Sequence, residues 1–198
     1  MLAVIVCAIP LSVIGAIAPS ITWLHVGPVI MLLPATVLFL RRWPMSNRAA
    51  GCIAGFVLLH LFAAHWTYSF VPYDDWLAVI GWDPLTQLLS FERNMFDRLV
   101  HFAFGVLAII PCAELTIRYC DLSPRKAATG AVMFVLTFGA IYEIFEWMLT
   151  IGLSPEQAGT YNGEQGDIFD AQKDMAIAAL GALIALPWLR QHLKKGIG

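Results

Sequence analysis

Apolar residues in this chain fall into long runs separated by short polar clusters, with neither the strict alternation of strands nor the one-sided stripe of soluble helices. Six runs, near residues 2–18, 24–40, 50–70, 98–118, 127–150 and 172–189, approach the roughly 20 residues a helix needs to cross a bilayer. Breakers frame three of them: Pro44 and Pro72 around the third, Pro124 and Pro155 around the fifth, and Gly166 before the sixth. The pattern predicts an all-α, polytopic bundle of about six spans. The connections 71–97 and 151–171 are too short for separate domains, and no internal repeat is visible, so residues 1–198 read as one membrane domain.

The first two runs are joined only by residues around Ala18-Pro19-Ser20. Ala16-Ile17-Ala18 has the small-x-small pattern of a signal-peptide cleavage site, but no Lys or Arg precedes the apolar run and Pro19 would open the mature chain. The expectation is a retained span.

Composition strengthens this picture: 59% of residues are hydrophobic and 13% charged, where soluble domains run near ~45–50% and ~25%. A net charge of −2 leaves no basic surface for a nucleic-acid backbone. The four cysteines, Cys7, Cys52, Cys112 and Cys120, lack Cys-x-x-Cys spacing and read as small buried hydrophobes. Arg41, Arg42, Arg48, Arg118, Arg125, Lys126, Arg190, Lys194 and Lys195, nine of the 12 cationic residues, fall on one side of the predicted membrane. By the positive-inside rule that side is the cytoplasm, with both termini there and an acidic outer face.

Ionisable groups within spans are costly and mark candidate chemistry. Span four opens with Asp97-Arg98-Leu99-Val100-His101, placing Asp97 and His101 four apart on one face. Span five carries Glu143 and Glu146, three apart, about 10 Å or less below its outer end. Span six is led in by Gln165-Gly166-Asp167, and Asp167, Asp170 and Asp174 form one stripe if helical, with Lys173 beside it. Span three ends outward at His65-Trp66-Thr67-Tyr68. Four spans thus bring polar residues to one leaflet.

Like charge at low dielectric must be relieved by protons or by a cation. One reading is a divalent metal, Mg²⁺, Mn²⁺, Ca²⁺ or Zn²⁺, held by His101, Glu143, Glu146, Asp167, Asp170 and Asp174. Glu143, His101 and Asp97 would then do catalysis, as metal-assisted hydrolysis or phosphoryl transfer, while Arg98, Lys173, His65 and Gln165 bind an envelope or lipid-linked polar substrate. A second reading is a salt-bridge network in a non-catalytic scaffold. A third is a proton relay in an ion-coupled transporter. Composition does not choose among them, nor does it give the oligomeric state.

Other residues read more plainly. Glu114 and Arg118 suit a local ion pair, Trp43, Trp66, Tyr68, Trp76, Trp82, Trp147 and Trp188 an aromatic belt, His25 and His60 packing roles, and Gly181 with Ala182 close helix approach.

The pattern His65-x-Thr67-Tyr68, Arg93-Asn94-x-x-Asp97-Arg98-x-x-His101-Phe102, Tyr142-Glu143-x-x-Glu146-Trp147 and Gly163-x-Gln165-Gly166-Asp167-x-x-Asp170-x-Gln172-x-Asp174-Met175 resembles the YjdF-like family of bacterial inner-membrane proteins. That resemblance implies a multi-pass protein of the bacterial cytoplasmic membrane and no established reaction. Met95, Phe96, Phe104 and Lys173 depart from the family's usual residues, and Lys173 places a cation beside the aspartate stripe. A weaker similarity to VanZ-like proteins, through the Asp-basic-x-x-His-Phe helix start, implies a role at the cell envelope.

Overall fold

The computed structural model describes residues 1–194, so Lys195 lies outside the described residues. Among the described residues, five helices are long and apolar enough to cross a membrane: α2 (Pro19–Arg42), α3 (Asn47–His65), α6 (Phe96–Cys120), α7 (Pro124–Gly152) and α9 (Asp170–Lys194). The expected first span is instead a 12-residue helix, α1 (Leu2–Val13). At about 18 Å it is well short of a ~30 Å hydrocarbon core. Gly15, at φ +72°, helps turn the chain into α2. The longer loops contain short helices α4 (Tyr73–Val79), α5 (Leu85–Leu88) and α8 (Pro155–Asn162), the last started by a Ser154/Gln157 capping box.

Span three stops earlier than 50–70 predicts. Thr67 and Tyr68 both adopt left-handed backbone, at φ +45° and +61°, which ends α3 at His65. Tyr68 is consequently turned inward and buried, and is no part of an interfacial belt. Cys7 and Cys120 are exposed, contrary to their reading as buried hydrophobes.

Two apolar cores share α6. Ile109, Ala113, Ala131, Val135, Ala182 and Leu189 close α6 against α7 and α9. Ile5, Val26, Ala54, Leu61 and Val100 join α1, α2 and α3 to it. The α6–α9 approach is backbone-close: a Cβ at Gly105 would run into the Ala178 carbonyl, and one at Gly181 into the Phe102 carbonyl. Gly181 therefore does what its sequence suggests, and Gly105 is its counterpart across the interface.

At the end opposite the acidic cluster, fully buried Glu114 ties three helices together. It accepts from the Ser46 backbone N–H at 2.5 Å and Oγ at 2.6 Å, and pairs with Arg118 Nε at 3.2 Å and His192 Nε2 at 3.3 Å. The Glu114–Arg118 pair is thus one part of a four-residue knot. Ser46 also caps α3 through Ala49 N–H. Ser46→Ala should therefore cost about 2–4 kcal/mol, as an N-cap and one part-buried charge-assisted bond are lost together. Unfolding in mixed micelles would show it, and an unchanged midpoint would refute it.

Candidate functional site

The start of α6, the start of α9 and the outer half of α7 converge with the loop before α9. Arg98, projecting from the first turn of α6, is buried and fully engaged. Its guanidinium donates to the Asp170 carbonyl at 2.9 Å, the Asp170 carboxylate at 2.5 Å and Asp167 at 3.2 Å, and it is also paired with Asp174. Arg93, just before α6, pairs with Asp170 at 2.5 Å and faces Asp97 at 3.8 Å. Lys173 donates to Asp167 at 2.7 Å. That hydrogen bond holds the carboxyl of Asp167, which lies in the loop before α9, below the usual carboxylate range.

Deeper along α6, His101 Nε2 lies 3.6 Å from Asp97 and 3.9 Å from Asp174. One donor atom from each of Asp97, His101 and Asp174 falls within 4.8 Å of the other two. All three residues are at least partly buried. Glu143 adjoins Asp174 and Asp170 electrostatically, and one of its carboxylate oxygens, Oε1, is buried with no hydrogen-bond partner. Glu146 faces a different space, near Tyr142 and Asp97.

That space is a cavity of about 590 Å³. Its polar end is formed by Asp97, His101, Tyr142, Glu146 and Tyr161. Next comes a histidine–tyrosine cluster. The His60 Nε2–H donates to the His25 carbonyl at 3.0 Å, which leaves Nδ1 to accept the Tyr68 hydroxyl. The His25 Nδ1–H donates to the Ile21 carbonyl at 3.1 Å, and the ring stacks on Tyr161 with centroids 4.3 Å apart. Burial first, and the charge of Glu146 second, pushes the Tyr161 hydroxyl of α8 well up, so that it stays a neutral donor. Beyond this cluster the lining is apolar except for Thr36, as far as Arg41 near the opposite end.

Of the expected site residues, Asp97, Arg98, His101, Glu143, Glu146, Asp167, Asp170, Lys173 and Asp174 are brought together. His65 is placed elsewhere, donating to the Ser12 carbonyl of α1 at 3.2 Å. Gln165 exchanges hydrogen bonds with the Asn94 backbone at 3.0 and 3.1 Å, fastening the loop before α9 to the lead-in of α6. Arg98 and Lys173 are both spent on aspartates. Sequence reasoning missed Arg93, whose signal was its position four before Asp97. It also missed Tyr142 and Tyr161 as site residues; His25 and His60 are hydrogen-bonded packing histidines as read, and both also line the cavity.

These features define a helical integral membrane protein with a polar site built into one end of its bundle. The chain belongs to the family described as predicted membrane protein DUF2238, whose model matches residues 1–195. It is 30% identical over 179 residues to the inner membrane protein YjdF of Escherichia coli (strain K12), covering 89% of this chain and 81% of that protein. No solved structure matches. It is a multi-pass protein of the inner membrane.

Proposed function

We propose that Asp97, His101 and Asp174 hold one divalent cation, and that the site uses it to act on a polar group carried by an envelope or lipid-linked substrate. The observation that carries this reading is the donor triad at the head of an apolar cavity within the bundle. Donor atoms bound to a single ion at ~2.1 Å sit about 3–4 Å apart, close to the spacings from His101 to its two carboxylates. Charge supports it too: Asp97, Asp167, Asp170, Asp174, Glu143 and Glu146 face Arg93, Arg98 and Lys173, six carboxylates against three cations. An excess of three negative charges in a low-dielectric setting calls for protons or a cation.

A divalent ion would supply Lewis acidity and lower the pKa of a bound water, the requirement of metal-assisted hydrolysis or phosphoryl transfer. Glu143 offers the unpartnered oxygen that can take a proton. Glu146, within hydrogen-bonding reach of Tyr142, orients the substrate's polar group from the cavity side. Arg93, Arg98 and Lys173 fix the aspartates in place. The basic end of the bundle, with Arg41, Arg42, Arg48, Arg118, Arg125, Lys126, Arg190 and Lys194, faces the cytoplasm in this reading, so the site opens outward and α9 ends inside, while α1 is too short to carry the N-terminus across.

Elemental mass spectrometry of gently purified protein tests the proposal. About one divalent ion per chain is expected. His101→Ala and Asp174→Asn should each weaken binding at least about 100-fold, more than loss of an outer-shell partner does; Glu143→Gln should lower activity more than metal content. Folded wild-type protein without bound metal, or metal retained in both ligand variants, would overturn it.

A further inference from the structure

We propose that the cavity is a lateral slot for one hydrocarbon chain, and that the substrate is a single-chain membrane amphiphile whose polar head lies at Asp97, His101 and Glu146. This identification of the substrate class rests on the functional reading above.

Three observations carry it. The first is shape. The α2 wall of the cavity runs from His25 to Arg41, about 24 Å at the helical rise, most of a ~30 Å hydrocarbon core. A volume of about 590 Å³ over that length gives a mean cross-section of about 25 Å². An extended chain whose atoms pack about 4.0–4.5 Å from their neighbours takes about 20 Å². That mean is close to one chain's cross-section and well under that of two.

The second is polarity. From His60 and His25 onward the lining is apolar, with Val29, Leu33, Ile53, Ala54 and Val57 on facing walls, while every acidic group of the cavity sits at one end. That is the profile of a tail lying beside a head, with the head at the candidate metal ligands.

The third is access. Among the described residues the backbone of α2 runs close to α1, α3 and α8 but not to α6 or α7. The cavity nevertheless lies between α2 and α7, bounded by Phe138, Gly139 and Tyr142 on the far side. The gap between these two backbones is where the slot opens sideways, toward lipid. A chain can enter from the bilayer without leaving the hydrocarbon, and the cluster of Tyr68, Tyr161 and the two histidines stops it at the polar end.

The full-length protein in dipalmitoyl phosphatidylcholine nanodiscs doped with palmitoyl lysophosphatidylcholine, released into native mass spectrometry, provides the test. One lysolipid per chain is expected, in preference to the two-chain lipid. Val57→Trp from α3 and Leu33→Trp from α2 should each reduce occupancy at least tenfold. Absence of the adduct, equal retention of the two-chain lipid, occupation of this face by a second copy of the protein, or full occupancy in both Trp variants would overturn the proposal. Should either variant fail to fold, the wild-type preference for one chain over two decides. Repeating the measurement after chelation and in His101→Ala separates the two readings. Lysolipid bound by gently purified wild-type protein that holds no metal before chelation refutes the metal proposal alone, and metal without lysolipid refutes this one alone.

Discussion

Arg98→Met is expected to destabilise the folded bundle by about 3–5 kcal/mol, the range for removing one member of a buried ion pair. Arg98 is 5% exposed and bridges α6 to the first two turns of α9 and the loop before it through a carbonyl and three carboxylates. With the guanidinium gone, Arg93 still holds Asp170 at 2.5 Å, but among the described residues Asp174, 2% exposed, keeps only His101 as a side chain near enough to pair, so the effect is read on metal-free protein. The cost is that of an uncompensated buried carboxylate, so it should be relieved by neutralising the carboxylate. Arg98→Met combined with Asp174→Asn should regain more than half of the lost stability. Arg98→Lys should recover only part, since a point charge cannot span Asp170 and Asp174 as a planar fork does. Reversible unfolding in mixed micelles measures all three. Wild-type stability in Arg98→Met would mean that the network does not hold α6 to α9.

How much of this was visible in the chain depends on the range of the interaction that fixes each feature. Hydropathy is a property of consecutive residues, so spans four, five and six were found within a few residues of α6, α7 and α9. The boundary errors arose where one residue's backbone overrides the trend: Thr67 and Tyr68 end α3 in left-handed conformations inside an apolar stretch, and α1 stops at Val13 although the following residues remain apolar. The aspartate stripe and the Asp97–His101 pair were legible because helical spacing alone places them on one face. Glu143 and Glu146 share that spacing, yet one lies beside the α9 aspartates and the other lines the cavity, a distinction made by the neighbouring helices.

Long-range partnerships left no trace in spacing. Ser46 and His192 meet Glu114 across 68 and 78 residues of chain. His25 and His60 looked like isolated packing residues because the hydroxyl that completes their cluster, Tyr68, sits beyond the end of α3 and read as an interfacial aromatic. Tyr161 belongs to a polar loop whose short helix caps the cavity, and nothing local to Glu-Gln-Ala-Gly-Thr-Tyr marks it as a wall. The cavity itself is a product of helices that fail to meet, which no single helix encodes.

Gly105→Leu should be the most damaging single change in the apolar interior. Between helices in lipid there is little hydrophobic driving force, and close van der Waals packing supplies much of the association energy. At Gly105 the atoms that a new Cβ would strike belong to the α9 backbone at Ala178 and Ala182, so no side-chain rotation can make room. Helices α6 and α9 would have to separate. That separation would loosen Ile109 and Ala113 against Ala182 and Leu189, and it would also draw Arg98 from Asp170 and His101 from Asp174. The expected result is a loss of at least about 3 kcal/mol, the upper end for overpacking, together with loss of the proposed ion from chains that remain folded. Gly130→Leu in α7 is the matched comparison, because a Cβ there meets nothing within 4 Å and a glycine leaves a helix interior; it should be neutral or mildly stabilising. Equal stability of the two variants in the same micelles would show that α6 and α9 do not approach as closely as their backbones indicate. Loss of metal in Gly105→Leu without loss of stability would instead show that the α6–α9 distance tunes the site independently of the fold.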